Sequence, residues 1–186
     1  MTKRKWEILS SEYVVESPWY RLRRDACKLP DGTVIDPYYV REHAGFAVVF
    51  AMTGAGEVVF TRQYKHGYGD FVLELPAGAI EAGEDPLACA KRELEEETGY
   101  TAPAFVHVTD FIADPTSSTG RLFLFVAHQA VPDGVRSLDP TEDIETVLVP
   151  LDRVIDAIHD GRVCTQGQVA AIYTVLDNLG LLRPST

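Results

Sequence analysis

Residues 6–29 run in two short, β-prone stretches, WEILSSEYVVE and WYRLRRDACKL, separated at Pro18. Pro30-Asp31-Gly32 is turn chemistry and TVIDPYYVREH reads as a third strand, so the pattern predicts an N-terminal antiparallel sheet. Asp36-Pro37 inside that third strand marks an edge or a bulge, because proline donates nothing to a central ladder. GFAVVFAM over 45–52, and EVVFTRQYK after a Gly54-Ala55-Gly56 turn, are nearly continuous apolar runs that read as buried, central strands. FVLELPAG is a strand leading through a loop into a helix that tolerates Pro86 in its first turn and ends at Gly99. Segments 104–111, 122–129 and 145–149 are strand-like; the polar loop IADPTSSTGR joins the first two and an acidic connection, 132–143, precedes the third. LDRVIDAIHDG reads as a helix with Val154, Ile155 and Ile158 on one face. A last helix runs from about 166 to 179, with Thr165 as N-cap and Gly180 as stop. Strands with one helix in their midst and two at the end predict an α+β layered fold in one domain.

The central helix departs from ordinary charge placement. Glu93, Glu95, Glu96 and Glu97 crowd its last turns, where the negative pole of the helix dipole favours cations. Glu93 and Glu97 are in addition a like-charge pair at i,i+4. Something positive is therefore expected beside them. At about 100° per residue Glu93, Glu96 and Glu97 fall on one narrow arc, with Glu95 on the other side. Three converging carboxylates make a hard oxygen site suited to Mg²⁺ or Mn²⁺; a solvated acidic face is the bland alternative.

Composition narrows the function. With 46% apolar and 24% charged residues in 186, the chain suits one globular domain. It shows neither a leader pattern nor an apolar run long enough to span a bilayer, so a cytoplasmic protein without membrane partners is expected. Cys27, Cys89 and Cys164 are odd in number and lack zinc spacing, which predicts reduced, structural thiols. A net charge of −11 disfavours nucleic-acid polymers as partners, while a small anionic ligand remains compatible with a local metal and a few basic residues.

The frame around the glutamates decides between these readings. Gly78, five residues, Glu84, seven residues, Arg92-Glu93-Leu94, then Glu96-Glu97 and Gly99-Tyr100, resembles the complete signature of the Nudix hydrolases; only Tyr100 stands where an aliphatic residue is more usual. The resemblance implies a mixed β-sheet sandwiched between helices, here with the N-terminal antiparallel β-sheet ahead of it. It also implies Mg²⁺- or Mn²⁺-dependent cleavage of a pyrophosphate that links a nucleoside to another moiety. Carried over by position, Glu93 and Glu97 are the main metal ligands, Glu96 a third, and the backbone carbonyl of Ala77 a main-chain ligand. Arg92 and Glu84 are expected to pair and orient loop against helix.

The N-terminal sheet, the segment TRQYKHGYGDFVLELPAG and Pro115, 15 residues past Tyr100, are similar to the ADP-ribose pyrophosphatase group. That group implies a small nucleoside-diphosphate-linked substrate and a homodimer in which the N-terminal segment, 1–43, reaches across to a partner's Nudix domain, 44–186. Lys65 falls where a phosphate-binding arginine is usual, with Arg62 its neighbour; Trp19, Tyr20 and Tyr39 are candidates to stack on a purine. For His43 and His66 the readings are a contact to ribose or phosphate and a structural role, the second being preferred for a lone histidine. The loop glutamate that serves some members as base is replaced by Gly120, leaving Glu142, with Asp143 and Glu145 beside it, as the substitute. Solvated loop carboxylates, or a box glutamate acting directly on water, are the competing readings of that stretch. Competing functions are a Nudix hydrolase of nucleoside triphosphates or dinucleoside polyphosphates, and a non-catalytic nucleotide-sugar sensor.

Overall fold

The computed structural model describes residues 4–18 and 20–182, so Trp19 lies outside the described residues. The chain divides into two compact units, one holding the residues up to Gly45 together with Ile112–Arg121, the other Phe46–Phe111 and the residues from Leu122 onward.

In the first unit β1 (Glu7–Glu16), β2 (Arg21–Lys28) and β3 (Val34–Glu42) form an antiparallel sheet in that order. Asp31 accepts the Thr33 amide at 2.9 Å and Gly32 adopts φ 93°, which turns β2 into β3. The pairing shifts from Asp25↔Tyr38 to Cys27↔Ile35, so Asp36 and Pro37 together face Ala26. Proline thus sits at a bulge and on an edge strand, both places that spare the ladder its missing donor. Asp25 is buried within this unit, held by the Arg23 guanidinium and, at 2.6 Å, by the Ser11 hydroxyl. The loop before Arg121 returns to β3, where Arg41 donates to the Ser117 carbonyl and accepts from the Thr119 amide.

The second unit is a mixed seven-stranded sheet with helices on both faces. Its strands are β4 (Phe46–Thr53), β5 (Glu57–Lys65), β6 (Asp70–Glu74), β7 (Ala77–Ala79), β8 (Ala104–Ile112), β9 (Arg121–Ala130) and β10 (Ile144–Pro150). The order is β10-β5-β4-β9-β8, with β6 on β5 and β7 on β4; β4 and β9 run parallel. The apolar run of β4 does not alternate because both sides are covered. Ala47, Val49 and Ala51 pack with Cys89, Ala90 and Leu94 of α1 (Pro86–Thr98), while Val48 and Phe50 pack with Ile172 and Val175 of α3 (Gln166–Asn178).

The segment read as one helix at 151–161 is a 3-10 turn, Leu151–Arg153, followed by the short α2, Val154–His159. Thr165 has the extended backbone of an N-cap, yet its hydroxyl donates to Glu74 at 2.9 Å and makes no cap bond. Among the described residues no helix is long and apolar enough to cross a membrane.

Candidate active site

The site grows from the junction of β7, a loop and α1. Asp85 caps the helix, accepting from Leu87 at 3.0 Å and Ala88 at 3.3 Å, and Pro86 occupies the first turn. Gly99, at φ 73°, ends the helix and returns its amide to the Glu95 carbonyl at 2.7 Å. The buried stripe of the helix comprises Cys89, Ala90, Glu93, Leu94, Glu97 and Thr98, so two glutamates share the stripe with apolar neighbours. Glu93 lies directly over Gly78: a Cβ there would meet its carboxyl carbon at 1.9 Å, which is why no other residue fits. Glu96 is turned out and half-exposed, so the structure separates it from the buried pair that the helical arc had grouped with it.

Arg92 answers much of the charge anomaly from within the helix. Its guanidinium binds Glu84 through two nitrogens at 2.9 and 3.0 Å and meets Glu93 at 2.7 Å and Glu96 at 3.0 Å. It also donates to the Ala79 carbonyl at 3.3 Å, tying loop to helix. The bond with Arg92 holds the Glu84 carboxyl down at about 2. Cys89, between these groups, has its thiol pushed up to about 12 by burial and then by Glu93 and Glu84.

Glu97 is treated differently. It is 4% exposed, accepts one bond, from the Ala77 amide at 3.0 Å, and among the described residues has no ion-pair partner. Burial, then the charges of Glu93 and Glu142, raise it to about 8, against the bond from Ala77 and the more distant charge of Lys65. Glu93 is raised too, by burial above all, despite Arg92. Among the described residues no three carboxylate, histidine or thiol groups are already gathered into a metal cluster, and Arg92 engages Glu93 and Glu96. The donor chemistry still fits a hard divalent cation. A buried, unpaired carboxylate next to a second one is costly until a positive charge joins it, and oxygen donors suit Mg²⁺ or Mn²⁺.

Of the remaining candidates, Lys65 and Glu142 are drawn toward this pair. Lys65 lies on the α1 side of β5, in line with Val59 and Thr61, and binds Glu74 at 2.9 Å. The charge of Glu142 bears on Glu93 and Glu97, and its carboxylate accepts the Asp139 amide at 3.0 Å. Arg62 is not brought to Lys65. Three residues apart on a strand, they point to opposite faces, and Arg62 instead meets Glu145 at 3.2 Å and covers the Phe71 ring. Glu145 is thereby placed away from the box as well. Tyr20 and Tyr39 are exposed residues of the N-terminal unit. His43 contacts the Ser118 hydroxyl at 3.0 Å, and His66 lies tilted against Tyr64. A Cβ at Gly120 would stand 1.7 Å from the His43 ring, so packing accounts for glycine rather than an acid at this place in the loop.

Sequence reasoning passed over two features. Gln168, at the start of α3, accepts the Leu75 amide at 2.9 Å and so holds the strand that enters the box; a lone glutamine carries no signal for this. Arg136 donates to the Glu97 carbonyl at 2.9 Å and to the Ile144 carbonyl, supplying the cation missing from the helix end. It is the one basic residue in the acidic connection 132–143, and that was a usable signal.

Comparison with known proteins identifies the family to which the fold belongs. The NUDIX domain matches residues 41–165, two thirds of the chain. The chain belongs to the NUDIX family. Residues 6–40, which carry the N-terminal sheet, match the nucleoside diphosphate sugar hydrolase N-terminal domain. An ADP-ribose pyrophosphatase of Bacillus subtilis is 33% identical over 158 residues, spanning 84% of this NUDIX protein and 85% of that one. A methanol dehydrogenase activator of Bacillus methanolicus is 30% identical over 167 residues, 89% and 90% of the two chains. The crystal structure of an ADP compounds hydrolase superposes with a TM-score of 0.85 over 98% of this chain and 100% of that chain; at 21% identity it establishes the fold.

Proposed function

We propose that this protein hydrolyses the pyrophosphate bond of ADP-ribose or a related nucleotide sugar, releasing a nucleoside monophosphate and a sugar phosphate. The observation that carries the reading is Glu97, buried beside Glu93 at the end of the box helix and, among the described residues, without an ion-pair partner, with the charges of Glu142 and Lys65 acting on it from farther away. The N-terminal domain match and the Bacillus subtilis relative favour nucleotide sugars over nucleoside triphosphates.

In this reading Glu93 and Glu97, with Glu96 and the main chain of Ala77, would hold Mg²⁺ or Mn²⁺. Such an ion, when bound, neutralises charge on the diphosphate. Lys65 binds a phosphate oxygen as a point charge. Glu142 takes a proton from water as the water oxygen bonds to one phosphorus. The bond from that phosphorus to the bridging oxygen breaks, and the bridging oxygen leaves with the other phosphate. Arg92 and Glu84 keep the loop on the helix. The N-terminal segment, 1–43, serves as the dimerisation region and 44–186 as the catalytic part, and the aromatic residues Trp19 and Tyr39 are the candidates for stacking on the base. Every residue of β1 is exposed, including Ile8, Leu9, Val14 and Val15, and such an apolar edge strand favours a second copy. Three free cysteines favour a cytoplasmic location.

The test is incubation with Mg²⁺ and ADP-ribose, GDP-mannose, NADH or dATP in turn, with products identified. Cleavage of the sugar nucleotides to monophosphates is expected. Preferential hydrolysis of dATP would overturn the substrate class, and binding of ADP-ribose without turnover would make the protein a sensor.

A further inference from the structure

Resting on that reading, the geometry points to Arg136 as the positioning residue that clamps the Glu142 loop onto the box helix. The connection between β9 and β10 is polar and exposed, and nothing in its composition would hold a carboxylate in a fixed place. Its first half is nevertheless fastened to the last turn of α1 residue by residue. Gly134 donates to the Gly99 carbonyl at 3.0 Å, and Ser137 donates to the Glu96 carbonyl at 3.0 Å. Val135 donates to the Glu95 carboxylate at 3.2 Å. Gly134 is required for this approach, since a Cβ would come within 2.8 Å of the Glu95 side chain and 2.9 Å of Thr101. Helix carbonyls that would otherwise lack partners are satisfied by this loop.

Arg136 adds what backbone bonds alone do not. One arm of its guanidinium meets the Glu97 carbonyl at 2.9 Å, and the other meets the carbonyl of Ile144, where β10 begins. Residues 136 and 144 are thus joined across the base of the loop, and Glu142 lies inside the closed segment. Within it Glu142 forms a turn of its own, donating its amide to the Asp139 carbonyl at 2.9 Å while its carboxylate accepts the Asp139 amide. The same guanidinium touches the residue that carries the buried Glu97 carboxylate, so box and loop share one anchor. A planar fork reaches two carbonyls in two segments at once, whereas an ammonium on a flexible stem does not hold both in a fixed relation.

Four proteins test this: R136Q, R136K, E142Q and the R136Q/E142Q double variant, each assayed for kcat and KM on the sugar nucleotide that the wild type cleaves. A general base contributes about 10²-fold or more. R136Q is expected to lower kcat about tenfold or more with KM changed less than twofold, and R136K to recover part of the loss. The double variant is expected to be no slower than E142Q alone, since Arg136 acts through Glu142. Losses that multiply in the double variant, or an R136Q effect confined to KM, overturn the inference. If E142Q keeps full turnover, the base assignment falls and this inference with it; if E142Q is impaired and R136Q is not, this inference alone falls. Amide exchange in divalent-free protein gives a second readout that needs no turnover. R136Q, or R136K if the glutamine variant does not fold, should speed exchange at Ser137 and Glu142 and leave Leu94 unchanged. Unaltered protection at Ser137 and Glu142 would also overturn the clamp.

Discussion

Glu97 is a buried carboxyl whose charged form the fold by itself does not balance, and this makes a pH prediction with a definite sign. Its carboxyl sits at about 8 in the folded protein, against an ordinary glutamate value of about 4.3 in the unfolded chain. As pH falls through 8 the folded state therefore takes up a proton that the unfolded state does not bind until near 4.3. Stability of the divalent-free protein should rise as pH is lowered from 8.5 toward 5, by about 1.4 kcal/mol for each unit of displacement at most. E97Q should remove that rise. Thermal melts of chelated wild type and E97Q across this range check it; identical slopes would show that Glu97 titrates normally. Glu84, held at about 2, contributes in the opposite sense and only in more acid solution. A second residue-scale prediction concerns Gly120. Sequence comparison alone would suggest restoring a loop acid there, but the His43 ring fills the space a Cβ needs. G120E should lower stability by about 1–3 kcal/mol, the usual cost of overpacking, without raising kcat. A faster enzyme with an unchanged Tm would refute this.

At the scale of the element, α1 is assembled from parts with separate origins. Its start is local: Asp85 and Pro86 are adjacent in sequence and satisfy the first amides without help from elsewhere. D85A should cost about 1 kcal/mol and D85S much less, measured by denaturant unfolding; equal losses would mean the side-chain bonds to Leu87 and Ala88 are not what matters. Its end is not local. Among the described residues the last turn has no basic side chain of its own, and the donors to the Glu96 and Glu97 carbonyls come from Ser137 and Arg136, forty residues on. The expectation that something positive stands near the glutamates was sound, but the sequence named only Arg92, paired with Glu84, and not Arg136. The reason is that i,i+4 neighbours follow from helix geometry, whereas a loop's return path depends on the packing of β9 and β10. Thr165 teaches the same point in reverse: the position of an N-cap was legible, while the hydroxyl's preference for the buried Glu74 was set by the neighbouring strand.

For the whole molecule, β1 sets the prediction. Ten successive exposed residues with Ile8, Leu9, Tyr13, Val14 and Val15 among them leave apolar surface on an unpaired edge. V14K should shift the protein from dimer to monomer in light scattering at micromolar concentration, with melting of the catalytic part little changed. A wild type that is monomeric throughout would remove the dimer from the proposal. Most strand positions, the box helix with Pro86 in its first turn and Gly99 at its end, the pairing of Arg92 with Glu84 and the membership of the NUDIX family were determined by sequence, since each depends on neighbours a few residues apart or on fixed spacing. FVLELPAG, which reads as one strand, is split in the structure into β6 on β5 and β7 on β4, because each half meets a different neighbour. Only the tertiary structure separated Arg62 from Lys65 on opposite faces of β5, buried Glu93 and Glu97 while leaving Glu96 outside, filled the space above Gly120 with His43 and brought Arg136 to the helix end. These depend on which surfaces meet after the chain has folded, and burial, unlike spacing, is a property of all the neighbours at once.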